Sequence, residues 1–254
     1  MRLGISCKSN WLTKKNIEKI KKAGIKTIEI DCERNIHNKE EIEFLKNLKF
    51  DYSVHAPYNN IKLKIFPYPR YSKKCIREIE ESLDYAVKLK ASQFVIHGGS
   101  FIRGYFRFRN LIKKNYGLNF FLNIYIKNFQ NIFKRANNAK IKVVLENVYP
   151  CFIGGRVFDI KYIQKNIPFV GFCLDLAHSE IYNLTEELMK LNINHIHISD
   201  NNKKEDKHLK LGDGIINFKE LFYKLNKLNY KGKIIIECNS LEDNIYSFKR
   251  LNIV

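Results

Sequence analysis

The chain has 254 residues, enough for one large domain or two small ones, and its 45% apolar content supports a sizeable core. No apolar run approaches the ~20 residues that span a bilayer. The opening Met1-Arg-Leu-Gly-Ile-Ser has no apolar signal region before a small-residue cleavage site. No membrane association is expected, and a cytoplasmic location is the default. The net charge of +19 invites a nucleic-acid partner. Only 10 of the 45 basic residues are arginine, however, and the lysines are spread along the chain. A solvated basic surface accounts for the charge equally well. The six cysteines, Cys7, Cys32, Cys75, Cys151, Cys173 and Cys238, form no Cys-x-x-Cys pair. Free thiols in a reducing compartment are expected. Cys173 and Cys238 stand beside candidate ligands and are expected to point away from them.

Short apolar runs alternate with helical periodicities along the whole chain. Leu3–Ser6 is the first strand candidate, and Thr13–Ala23 follows as a helix that Thr13 caps and Gly24 ends. Thr27–Ile30 is the second strand and Glu40–Leu48 the second helix. Tyr52–His55 is the third strand, stopped by Pro57, which cannot continue a central ladder. A long helix, Lys73–Lys90, leads to Phe94–Ile96, closed by His97-Gly-Gly. Asn119–Asn137 is helical, Lys142–Leu145 a strand, Arg156–Lys165 a weak helix and Val170–Leu174 a strand. Thr185–Leu191, then strand His195–Ile198, helix Phe218–Leu228, strand Lys233–Ile236 and a helix near Leu241–Leu251 complete the series. Eight strand–helix units in this length fit a single-domain α/β chain, residues 1–254, folded as a (β/α)₈ TIM barrel. The runner-up, an open doubly wound sheet, does not naturally draw on so many strands for one site.

The strand ends carry the chemistry. His55, His97, Glu146, Asp175, His197 and Glu237 close the third to eighth strands in turn. His178 follows Asp175 by three residues, and Asp206 and His208 lie in the loop after the seventh strand. In a parallel barrel all strand ends open on one face, where such folds keep their chemistry. Imidazoles and carboxylates without thiolates suit a divalent ion such as Zn²⁺, Mn²⁺, Co²⁺ or Fe²⁺ better than Ca²⁺. Any one of these residues alone would be an ordinary hydrogen-bonded polar group; the recurrence over six consecutive strands makes the case. His37 and His195 lack that support and are read as structural. Phe101–Phe121 interleaves Arg103, Arg107 and Arg109 with aromatics. That pattern fits a nucleic-acid backbone, a sugar phosphate, or a lid without a ligand.

Ser53-Val-His55-Ala-Pro57-Tyr58, Val95-Ile-His97, Val144-Leu-Glu146-Asn147, Cys173-Leu-Asp175-Leu-Ala-His178, His195-Ile-His197-Ile-Ser-Asp200, Asp206-Lys-His208 through Gly214, and Ile235-Ile-Glu237 together resemble the xylose isomerase-like barrel superfamily. That superfamily joins sugar isomerases and epimerases to endonuclease IV. The resemblance implies one of two activities. In the preferred reading the chain is a sugar or sugar-phosphate isomerase or epimerase. Glu146, Asp175, His197 and Glu237 would hold one ion that stabilises an enediolate, and Glu146 and Glu237 would act as base and acid. In the alternative it is similar to endonuclease IV, a nuclease acting at abasic sites in DNA with three zinc ions. The ligand sets would then be Glu146, Asp175, His197 and Glu237; His55, His97 and bridging Glu146; and His178, Asp206 and His208. Tyr58 and one of Arg103, Arg107 and Arg109 are the candidate substrate contacts. The first loop, Ser6-Cys-Lys-Ser-Asn10, lacks the Gly-rich segment of endonuclease IV, which favours the isomerase.

Overall fold

The computed structural model describes residues 1–32, 39–58, 61–63, 70–101 and 118–251. Its strands are β1 (Arg2–Lys8), β2 (Thr27–Asp31), β3 (Asp51–His55), β4 (Lys62–Leu63), β5 (Gln93–His97), β6 (Ser100–Phe101), β7 (Lys142–Glu146), β8 (Gly171–Asp175), β9 (Ile193–Ile198) and β10 (Lys233–Ile236). All except β4 and β6 close into one parallel barrel in the order β1-β2-β3-β5-β7-β8-β9-β10, with β10 returning to β1. β4 and β6 pair with each other outside it. The barrel expected from the sequence is therefore the fold.

Strand side chains alternate between two environments. Ile28, Ile30, Val54, Phe94, Ile96, Val143, Leu145, Phe172, Leu174, Ile196, Ile198, Ile234 and Ile236 face outward and are buried under the helices in the main core. Each such burial stabilises the fold by roughly 1.5–3 kcal/mol. The opposite parity faces the barrel axis. There Val95, Val144 and Cys173 form a small apolar cluster of their own. Polar groups share that interior: Glu29, Ser53, Gln93, His195 and Lys233 are all buried. Lys233 is neutralised in place, with Nζ 2.9 Å from the Tyr52 carbonyl oxygen and 2.8 Å from Asp51 Oδ1.

Most helix boundaries follow the sequence signals. Thr13 Oγ1 accepts from the Asn16 N–H at the start of helix Lys14–Lys22, and Ser72 Oγ accepts from the Cys75 N–H at the start of helix Lys73–Leu89. Three local differences matter. β2 runs to Asp31 rather than stopping at Ile30, because Asp31 still pairs with His55 on β3. A helix over Leu176–Ile181 was not expected, since six residues are too few to display a period; Asp175 Oδ1 caps it, accepting from the His178 N–H at 2.7 Å. The helix beginning at Thr185 ends at Leu188. The six cysteines are free, and all but Cys151 are buried. Cys173 does not point away from the ligands: it lies two positions before Asp175, so it shares the inward parity. Among the described residues no helix is long and apolar enough to cross a membrane. His37 and the arginines Arg103, Arg107 and Arg109 lie outside the described residues.

Candidate metal centre

The strand ends converge on Glu146. Its Oε2 lies 3.0 Å from His55 Nε2, 3.2 Å from His97 Nε2 and 3.3 Å from His197 Nδ1. Neighbouring ladders bring these groups together: His97 pairs with Glu146 across β5 and β7, and Asp175 with His197 across β8 and β9. Two ligand groups result, His55–His97–Glu146 and Glu146–Asp175–His197, each with its donor atoms within 4.8 Å of one another. They share Glu146. Glu237 joins the second through Oε2, 3.2 Å from His197 Nδ1. Asn147 locks the two strands that present Glu146 and Asp175. Its Nδ2 donates to the Asp175 carbonyl at 3.0 Å, and its Oδ1 accepts from the Asp175 N–H at 2.8 Å.

A third group, His178–Asp206–His208, stands on a short helix and a loop. Asp206 Oδ2 lies 3.0 Å from His178 Nε2 and 3.2 Å from His208 Nε2. Each ring's Nδ1 faces a backbone carbonyl, Asn147 at 3.0 Å for His178 and Glu237 at 2.8 Å for His208. A carbonyl only accepts, so Nδ1 of each ring carries a proton and Nε2 is the nitrogen that could give a lone pair to an ion. The loop itself is clamped by Asp200. Its Oδ1 accepts from the N–H groups of Asn201 and Ile216, and its Oδ2 from that of Gly212 at 2.8 Å. This explains the Gly-Asp-Gly signature: Gly212 sits at φ +98°, and a Cβ on Gly214 would lie 2.3 Å from Asp200 Oδ1.

The cluster is electrostatically tense without a cation. Burial pushes the Glu146 carboxyl up, but His97, His197 and His55 outweigh it and hold it well below the usual carboxylate range. Asp206 is likewise lowered: burial is overcome by its contacts with His178 and His208. Burial raises Asp175 to about 6. Burial works against charge on His55, His178 and His208, yet facing carboxylates raise all three to about 10. His197 Nδ1 and Asp206 Oδ1 are buried without a hydrogen-bond partner. Buried polar atoms are rarely left so, and a divalent cation would answer both these unpartnered ligand atoms and the carboxylates that otherwise require protonated imidazoles. The imidazole–carboxylate donor set fits such an ion.

Above the ligands opens a cavity of about 550 Å³. Trp11, Tyr58, Tyr149 and Phe152 line it, with Lys8 and Asp31 nearby. The Tyr58 ring lies 5.9 Å from His55 and 5.3 Å from His97. Seven of the nine candidate ligands line the cavity, and Asp175 and His197 stand in the Glu146 group beside it. Glu29, Lys8, Trp11 and Tyr149 are not marked by the strand-end pattern. Glu29 had a readable signal: in Thr27-Ile-Glu29-Ile-Asp31 the two carboxylates share one parity, which in a barrel is the interior.

A parallel (β/α)₈ barrel with imidazoles and carboxylates gathered at the ends of its strands has the donor groups that could hold divalent ions on that face. Residues 17–249 match the model of the xylose isomerase-like TIM barrel family, and the chain belongs to that family. An uncharacterized protein of Methanocaldococcus jannaschii is 27% identical over 96% of this chain and 95% of its own. A second from the same organism is 28% identical over 91% of this chain and 81% of its own. Among solved structures, a D-tagatose 3-epimerase-like protein superposes with a TM-score of 0.81 at 26% identity, covering 100% of this chain and 96% of the other. Endonuclease IV from Thermus thermophilus superposes with a TM-score of 0.70 at 16% identity over the whole of both chains. The latter likeness is one of fold alone.

Proposed function

We propose that this chain is a divalent-metal phosphodiester hydrolase of the endonuclease IV kind, acting on DNA at abasic sites. The observation that carries the reading is the surroundings of Glu146. One carboxylate oxygen faces imidazoles from β3, β5 and β9, the side chain is 1% exposed, and two ligand groups share it. That suits a bridge between two cations. It poorly suits a general base, which needs a lone pair open to substrate and a pKa near the working pH. The isomerase reading also leaves His55, His97, His178, Asp206 and His208 without a common task, whereas three adjacent ion sites use all of them. Bound divalent ions would supply Lewis acidity and charge neutralisation at the phosphate oxygens. The chain's own residues hold and orient those ions. Lys8 adds a cation at the rim, and Trp11 and Tyr58 offer ring faces for an exposed sugar or base. The net charge of +19 agrees with a polyanionic substrate.

A second reading, the metal-dependent sugar or sugar-phosphate isomerase or epimerase, is favoured by two observations. The cavity of about 550 Å³ has aromatic walls suited to a single sugar. The 26% identical structural neighbour is a D-tagatose 3-epimerase-like protein. In that case one Zn²⁺ or Mn²⁺ would rest on Glu146, Asp175, His197 and Glu237, with Glu146 and Glu237 as the proton-transfer pair. One experiment separates the two: elemental analysis of purified protein together with incubation on a duplex carrying an abasic site. Up to three zinc per chain with strand cleavage supports the nuclease. A single exchangeable ion, no cleavage and turnover of a ketose would overturn it.

A further inference from the structure

Beneath the ligand ring lies a buried contact that none of the three ligand groups includes. Glu29 projects from β2 into the barrel, fully buried, and reaches β9 across the interior. Its Oε1 lies 2.7 Å from His197 Nε2, and its Oε2 3.0 Å from His195 Nε2. These are close ion-pair contacts rather than aligned hydrogen bonds: both Glu29 oxygens and both Nε2 atoms have no hydrogen-bond partner among the described residues. The far side of His195 is fixed as well. Its Nδ1 lies 2.8 Å from Gln93 Oε1, while Gln93 Nε2 donates to the Asn194 carbonyl at 3.0 Å. That carbonyl only accepts, so the Gln93 amide has one orientation and His195 Nδ1 carries a proton.

The consequence passes along the row. One proton lies between His195 Nε2 and Glu29 Oε2. Wherever it rests, Glu29 Oε1 remains an acceptor. His197 Nε2 therefore carries a proton, and Nδ1 is the nitrogen turned to the ligand group. That Nδ1 is the atom 3.3 Å from Glu146 and 3.2 Å from Glu237. An imidazole offers a cation only its unprotonated nitrogen, and a carboxylate behind the other nitrogen sets which one that is. Cys173 also has its ligand atom within 4.8 Å of both rings. Yet each Nε2 already rests against a carboxylate oxygen, so that trio calls for no further ion.

We propose that Glu29, backed by His195 and Gln93, is a positioning residue that holds His197 in its Nε2-protonated form with Nδ1 directed at Glu146, Asp175 and Glu237. The inference rests on the reading of that group as an ion site, under either proposed activity. The test begins with wild-type, metal-free protein carrying ¹⁵N-histidine. Long-range ¹H–¹⁵N spectra are expected to show a proton on His197 Nε2, whether or not Nδ1 also carries one; an unprotonated Nε2 overturns the proposal without any variant. In Glu29→Gln the amide can present nitrogen or oxygen, so His197 should populate both tautomers. Zinc at the Glu146–Asp175–His197 group, measured by chelator competition, should bind about 10- to 100-fold more weakly. The His178–Asp206–His208 group should keep its affinity. A folded Glu29→Gln protein with unchanged tautomer and unchanged zinc affinity overturns the proposal. If that variant does not fold, the wild-type spectrum decides. A wild-type chain that binds no zinc overturns the reading of the site, and it does so while the tautomer measurement still reports on Glu29 itself.

Discussion

The ligands stand on two kinds of support. His55, His97, Glu146 and Asp175 end barrel strands and His197 stands one residue from the end of β9; each is fixed by at least one ladder partner, and all five are buried. Asp206 and His208 ride on a loop and are partly exposed, and His208 itself sits at φ +44°. One carboxylate, Asp200, replaces the missing ladder by accepting three backbone N–H groups of that loop. A strand end thus gains its precision from the whole barrel, whereas the loop gains it from a few contacts: the Asp200 carboxylate, the backbone bridge of Asp200 with Leu209, and Asn239, whose N–H and Nδ2 donate to the His208 and Lys207 carbonyls. The loop-borne group should be the easier of the two to remove without disturbing the rest.

Substituting the shared carboxylate tests the strongest side of that contrast. Glu146→Gln should empty both strand-borne groups and lower turnover by several kcal/mol of barrier, on the order of 1000-fold or more, with the barrel still folded by circular dichroism. Glu237→Gln should likewise abolish turnover while the fold persists; a fully active protein would mean that the site lies elsewhere.

Asp200→Ala should act on the loop alone. Elemental analysis should fall by the ion of the His178–Asp206–His208 group, with a stability loss of about 1–3 kcal/mol from the stranded N–H groups. Equal loss at both kinds of group would erase the distinction between strand and loop.

The smallest effect is one of pH. In metal-free protein His55, His178 and His208 titrate near 10, above the ~6.5 of an unfolded imidazole. The stability they contribute is complete below about pH 6.5 and is lost as pH rises through about 10. Cations need the same rings unprotonated, so ion binding strengthens over that same range. Thermal melts from pH 6 to 10 should show the metal-free Tm falling and the gap to the loaded protein widening. A constant gap would exclude these rings as ligands.

Much of this was legible because a barrel strand repeats one rule. Apolar residues of one parity meet the helices, and the last residue of the other parity reaches the open end. His55, His97, Glu146, Asp175 and His197 all obey it. Glu29 carries the same parity signal between Ile28 and Ile30, but it stands two residues before the end of its strand, where the rule seeks no ligand. Cys173 was misplaced for a related reason, since its distance from Asp175 is two positions rather than one. His178 was recognised by its spacing, but the helix that aims it was not, because Asp175 supplies the cap from outside any periodic pattern. The clamp by Asp200 depends on contacts with Gly212 and Ile216, which spacing alone does not reveal.

The shared position of Glu146 also bears on how the molecule is maintained. Its partners come from His55, His97, Asp175 and His197 on neighbouring strands, and His55 of β3 and His197 of β9 reach the same carboxylate oxygen only when the sheet is curled. Divalent ions bound there would select the closed barrel over any partly assembled one. By mass action, an ion at 100 times its dissociation constant adds about 2.7 kcal/mol to stability. The supply of free metal would then set the survival of the chain as well as its activity, and starvation for metal would first be read out as turnover of the protein.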